Sequence, residues 1–230
     1  MIRRPWLDMG VVSMNVPHYI PVMLNCAGRR CIVVGGGVIA ERKASALLAS
    51  SAETIVISPS LTPFLVSCYE KGQLHWIKRE YREGDLSGAF LAYAATNDSQ
   101  VNEAVVAEAE SRGVPVNDTG DGARGSFITP ASIRRGGLIV AVSTSGAGPT
   151  VSRRLCVEVD ELFGEHYEIY IDFLSEIRVR IKEQVLDRER RQLLFKALAE
   201  MDILAEIREG RFRPWSEEKL AAWIDAYQEE

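Results

Sequence analysis

Histidine and cysteine are scarce in this chain, three of the one and four of the other in 230 residues. Cys26, Cys31, Cys68 and Cys156 form no C-x-x-C pair, and Cys31, heading an apolar run, reads as a small packed hydrophobe. A reducing, cytoplasmic setting is expected. His18, His75 and His166 lack metal-ligand spacing, so no bound metal is expected. No apolar stretch approaches the roughly 20 residues of a membrane span, and no membrane partner is expected. The opening MIRRPWLDMGVVSM carries Arg3 and Arg4 without the apolar core of a signal peptide, so residues 1–18 read as an extension before the fold, with Met14 an alternative start. A basic excess is also missing. Lys and Arg number 27 against 32 Asp and Glu, a net charge of -5, which argues against a general nucleic-acid binder.

What is present is an ordinary globular composition, 47% hydrophobic and 26% charged, which excludes a disordered or fibrous chain. The length suffices for one α/β core and a smaller appendage without disulfides. Apolar runs alternate with helical patterns. CIVV, TIVIS (54–58), LHWIKR (74–79), AFLAYAAT (89–96) and VPVN (114–117) read as strands. Ala40, Ala44, Leu47 and Leu48 recur at helical spacing. A second helix is capped by Ser60 and ended by Gly72, and a third runs from the Asn97/Asp98 cap to Gly113. Strand and helix in short alternation imply a parallel sheet covered on both faces, a Rossmann-like domain over residues 1–116. After Asn117 the rhythm changes to a Gly-rich loop, a mixed stretch and the strong β run LIVAVSTSG, so 117–148 is expected to be a small β-rich segment. Residues 149–230 read as a helical C-terminal domain, opening near Pro149 and punctuated by Gly210 and Pro214.

Directly after the first strand, Gly35, Gly37 and Ala40 form G-x-G-x-x-A at the head of a helix. One glycine serves the tight turn, one lets backbone approach a pyrophosphate, and the small residue lets helix meet strand. Free N–H groups at the helix start favour the phosphates. Gly35, Gly36, Gly37, Val38 and Ile39 are therefore the candidate cofactor turn. The acid that often holds the ribose about 20 residues on is replaced by Ser58, Pro59 and Ser60. No adjoining base welcomes a 2′-phosphate, so NAD is favoured over NADP. Thr96, Asn97 and Asp98 end the fourth strand on the same carboxyl edge, where Asn97 or Asp98 also suits a helix cap.

In sequence order YIPVMLNCAGRRCIVVGGGVIAERK, YREGDLSGAFLAYAATND, VNEAV, VPVN, SFITPA and LIVAVSTSGAGPTVSRRL resemble the precorrin-2 dehydrogenase family, the NAD-binding half of siroheme synthases. The likeness runs from Tyr19 to about Leu162, and the tail resembles the helical C-terminus of stand-alone members. It implies oxidation of precorrin-2 to sirohydrochlorin with NAD, towards siroheme and in some organisms cobalamin. It also implies a homodimer joined through the β-rich segment and no methyltransferase half, since the chain ends at Glu230. Asn117 joins the expected cofactor contacts.

The family's favoured acid/base aspartate, three residues after that asparagine, is Gly120 here. Asp118 and Asp121 flank it and are the candidate bases, although Asn-Asp-Thr-Gly-Asp-Gly is also strong turn chemistry and a water-assisted proton loss would need neither. A polycarboxylate substrate calls for cations. Arg124, Arg134, Arg135, Arg153 and Arg154 are the candidates, with Ser126 and Thr144 placed in the same cleft by analogy. Three rival readings are a bifunctional enzyme that also inserts iron, a non-catalytic NAD-sensing domain, and a generic reductase. The last is disfavoured because no Tyr-x-x-x-Lys pair occurs.

Overall fold

The computed structural model describes residues 19–122, 124–145 and 148–227. The extension at 1–18, with Met14 and His18, and part of the GAG run after Ser145 lie outside them. The chain forms two compact units that part between Thr129 and Pro130.

In residues 19–129, β1 (Arg30–Val34), β2 (Glu53–Ile57), β3 (His75–Ile77), β4 (Leu91–Ala94) and β5 (Val116–Asp118) make one parallel sheet in the order β3-β2-β1-β4-β5. β1 carries apolar side chains on both faces because helices cover both. Cys31 and Val33 pack with Ala40, Ala44, Leu47 and Leu65, while Ile32 and Val34 pack with Val105, Ala109 and Leu86. The covering helices are α1 (Val38–Leu48), α2 (Pro63–Glu70) and α3 (Ser99–Arg112). The last ends as its sequence suggests, at Gly113 in the left-handed region (φ 65°). α2 starts later than expected. Pro63 occupies its first turn and Thr62 Oγ1, not Ser60, accepts from Leu65 N at 3.3 Å. Strand order reverses direction between β1 and β4, which opens a crevice at their carboxyl ends.

β5 includes Asn117 and Asp118, so the polar loop after it belongs with the parallel sheet rather than starting a new segment at 117. The β-rich element itself is a hairpin in the second unit. β6 (Ala131–Arg135) pairs antiparallel with β7 (Leu138–Val142) across Gly136-Gly137, with Arg135 opposite Leu138. α4 (Pro149–Leu162), α5 (His166–Gln184), α6 (Arg188–Glu200), α7 (Ile203–Arg208) and α8 (Glu217–Ala226) complete that unit. Phe173, Ile177 and Ile181 form one buried stripe of α5, meeting Leu194, Leu198, Ile207, Trp215 and Leu220. No helix among the described residues is long and apolar enough to cross a membrane.

Candidate active site

The crevice is a cleft of about 770 Å³ lined by residues 34–39, by 57–62 after β2, by Glu80 and Tyr81, and by 95–98 with Val101. That size is ordinary for a cofactor cleft. It brings together Gly35, Gly36, Gly37, Val38, Ile39, Ser58, Pro59, Ser60, Thr96, Asn97 and Asp98.

The three glycines differ in what they do. Gly35 has φ 123°, and a Cβ there would strike the Ala95 carbonyl oxygen, so β1 and β4 close over this position only if it is bare. A Cβ on Gly36 would meet the Ser60 carbonyl and come within 2.8 Å of Ser58 Oγ. At Gly37 a Cβ would meet no protein atom within 4 Å, and no side chain caps the N-terminus of α1. The fold therefore needs bare backbone at Gly35 and Gly36, and the first N–H groups of α1 are left for a ligand. Ala40, fully buried, fills the tight helix–strand contact expected of it. Val38 is 77% exposed and Ile39 45%, apolar surface at the cleft rim where a bound cofactor would cover it. The residues fit a dinucleotide.

Around the rim, Thr96 is fixed by a residue that pattern reading overlooked. Asn102, buried on the first turn of α3, accepts from Thr96 N (3.1 Å) and Thr96 Oγ1 (2.8 Å) and donates to Thr96 O (3.2 Å). Its signal was a polar residue on the inward face of an amphipathic helix. Asp98 is the helix cap, accepting from Gln100 N at 2.8 Å and Val101 N at 3.3 Å. Glu80 and Tyr81 also line the cleft, at the head of the YREGD stretch, and neither is among the expected site residues. The Tyr81 hydroxyl donates to Glu108, which accepts from Gly84 N (3.0 Å), Leu86 N (3.2 Å) and Arg112 Nε (2.7 Å) as well. Burial works to raise the Glu108 carboxyl, but these hydrogen bonds outweigh it and hold it below the usual range. Burial, then the bond to Glu108, pushes the Tyr81 phenol well up.

Asn117 does not line the cleft. It is buried, and its Nδ2 donates to the Phe127 carbonyl at 3.0 Å, tying the outgoing chain to β5. Ser126 does the same work. Its Oγ accepts from Val116 N at 2.8 Å and its own N–H donates to Val116 O. The Asp118 side chain is wholly buried, and Oδ1 accepts from Gly120 N at 2.8 Å and Asp121 N at 3.3 Å, the turn chemistry that the loop sequence allows. Asp121 is half exposed, and Arg124 lies among Glu103, Asp118 and Asp121.

The remaining candidates lie in the second unit. Arg135 pairs with Asp160 at 2.6 Å and Arg154 with Glu158 at 3.1 Å, while Arg134 and Arg153 are exposed. Thr144 Oγ1 lies 2.9 Å from Ser152 Oγ at the start of α4. All four cysteines are free and buried, and burial, with Cys26 next to it and Glu53 near, pushes the Cys31 thiol up to about 12. Among the described residues no three His, Cys, Asp or Glu side chains group as a metal site.

Residues 22–131 match a family model described as putative NAD(P)-binding. The siroheme synthase of Chromobacterium violaceum is 35% identical over 208 residues, 89% of this chain and 44% of that protein. That of Mannheimia succiniciproducens is 36% identical over 181 residues, 79% and 38% of the two chains. This chain thus spans less than half the length of these curated relatives. Among solved structures, SirC, a precorrin-2 dehydrogenase, superposes with a TM-score of 0.71 at 29% identity, covering 91% of this chain and all of that one. With the glycine floor, the switch-point cleft and the α/β sheet in place, the chain carries a putative NAD(P)-binding domain and is similar along most of its length to siroheme synthases and to a precorrin-2 dehydrogenase.

Proposed function

We propose that this chain oxidises precorrin-2 to sirohydrochlorin with NAD, in the synthesis of siroheme and, in some organisms, cobalamin. The observation that carries the reading is the uncapped N-terminus of α1 over a glycine floor, in a chain whose relatives include siroheme synthases and a precorrin-2 dehydrogenase. When bound, the nicotinamide accepts the hydride. Gly35, Gly36 and Gly37 and the first turn of α1 hold the pyrophosphate, and the 58–60 stretch the ribose. NAD rather than NADP is supported by the cleft lining, which contains Glu80 and Asp98 and no Lys or Arg. The acid missing at the end of β2 is thus supplied from the segment after β3.

A proton must leave the carbon next to the one that yields hydride. Asp121 takes it in this reading, because its carboxylate is half exposed whereas that of Asp118 is buried and spent on the loop. Substrate carboxylates fall to Arg134, Arg153 and Arg154, which are exposed. A homodimer formed through β6 and β7 is supported by strands whose aliphatic side chains are only partly covered within one chain, and by the exposed Val151, Leu155, Val157 and Leu162 of α4. Four free thiols suit a reducing cytoplasm.

The test is to supply precorrin-2 with NAD or NADP and follow the reduced cofactor and sirohydrochlorin together. Turnover with NAD is expected. Binding of NAD without turnover would leave a nucleotide-binding domain and remove the dehydrogenase.

A further inference from the structure

Arg124 is a natural candidate for gripping a substrate carboxylate, and its surroundings argue against that role. Its Nη1 lies 2.5 Å from Glu103 Oε1 on α3, its Nη2 3.1 Å from Asp118 Oδ2 and its Nε 3.4 Å from Asp121 Oδ2. One cation among three carboxylates leaves the cluster net negative, a field that repels an anionic ligand. Burial works to lower the Arg124 charge, and the bond to Glu103 with the fields of the three carboxylates more than offsets it, so the guanidinium stays charged.

Asp118 forms the root of the cluster. One of its oxygens binds the backbone N–H groups of Gly120 and Asp121 at the head of the loop, and the other faces Arg124 at its foot. The loop is closed again by Arg124 N donating to Asp121 O at 3.1 Å. It is pinned below at Gly125, where a Cβ would come within 2.8 Å of Val116 O and 3.0 Å of Asp118 N. It stands beside the cleft. Thr119 N donates to Ala94 O, and a Cβ on Gly120 would lie 3.5 Å from Nδ2 of Asn102, the residue that fixes Thr96.

We propose that Arg124 is a positioning residue, a clamp between the buried Asp118 and the half-exposed Asp121 that holds the Asp121 carboxylate in one place for proton removal. This rests on Asp121 being the base in the reading above. The rigid fork of arginine is what the site uses, since one planar group meets carboxylates in three directions, which a lysine ammonium on a flexible stem does not reproduce.

The experiment compares the parent with Arg124→Gln, Arg124→Lys, Asp121→Asn and the Asp121→Asn/Arg124→Gln double variant, using precorrin-2 and NAD. Arg124→Gln is expected to lower kcat roughly 10- to 100-fold, the scale of a small misplacement of a reacting group, with KM for precorrin-2 and Kd for NAD unchanged. Arg124→Lys falls between. The double variant is no slower than Asp121→Asn alone, because the clamp acts through that carboxylate. A raised KM with kcat intact makes Arg124 a substrate ligand and overturns the proposal, as does an unchanged kcat. Amide hydrogen exchange at Gly120 and Asp121 gives a readout independent of turnover. It speeds up in Arg124→Gln if the clamp exists, and unaltered exchange overturns the clamp even in a parent that fails to oxidise precorrin-2, a failure that would count separately against the reading above.

Discussion

Lys43 Nζ donates to Thr129 Oγ1 at 2.8 Å and sits 4.9 Å from the centre of the Tyr93 ring, so a buried ammonium on α1 holds the last residue of the nucleotide-binding unit. Burial, helped by the charge of Arg42, lowers this lysine from 10.5 to about 8. The unfolded chain then binds more protons than the folded one between those values, and stability rises with pH through the window. Cys31 works the other way above pH 9, because its raised thiol keeps its proton in the fold. The clean interval is pH 7.5 to 9, where denaturation midpoints should climb by roughly 1 kcal/mol. Lys43→Met should flatten that climb, and parallel curves for the two proteins would remove Lys43 as its source.

Two neighbouring glycines should separate folding from binding. Gly36→Ala forces a methyl against the Ser60 carbonyl and should cost about 1–3 kcal/mol of stability, as overpacking does. Gly37→Ala meets open space and should melt like the parent while binding NAD weakly. Thermal melts beside calorimetric titration check both, and a Gly37→Ala variant that binds as well as the parent would place the pyrophosphate elsewhere.

Glu108→Gln cannot accept from all four of its donors while keeping Tyr81 in place. It should lose about 1–3 kcal/mol and, through the freed ring on the cleft wall, NAD affinity. Since the Glu108 carboxyl is held below its ordinary 4.5, its contribution is present above that pH and fades as pH falls below it. An acid titration of stability should therefore show a shallower decline for the glutamine variant. An identical decline would assign the acid sensitivity to other groups.

The two aspartates of the loop should part company. Asp118→Asn is expected to lower stability by about 2 kcal/mol, since a buried carboxylate facing an arginine is lost. Asp121→Asn should leave stability alone and slow turnover. Steady-state rates and urea midpoints measured on both proteins decide it, and a fully active Asp121→Asn would end its role as base.

The sheet was legible because every strand of it is a short apolar run between turn signals, and the glycine turn because strand, glycines and helix agree. Less was readable where polar residues do structural work. Asn117 and Ser126 look like site residues in the sequence, yet their side chains are spent on the backbone of the 116–127 stretch, which only contact across ten residues reveals, whereas Asp118 makes the turn that its sequence allows. β6 was hidden for a different reason. Its strand ASIRR alternates weakly and is polar, and the Gly136-Gly137 pair was the one sign of its hairpin. Tyr81 and Glu108 are 27 positions apart, and no local pattern could pair them.

The glycine floor also bears on how such a protein can change. Main chain abuts main chain at Gly35 and Gly36, so mutation there finds almost nothing viable to try. On the proposed reading, shifts in cofactor preference fall to the collar of the cleft formed by Ser58, Ser60, Glu80 and Tyr81, leaving the socket as an heirloom. A laboratory library seeking a new nucleotide preference has its natural targets there.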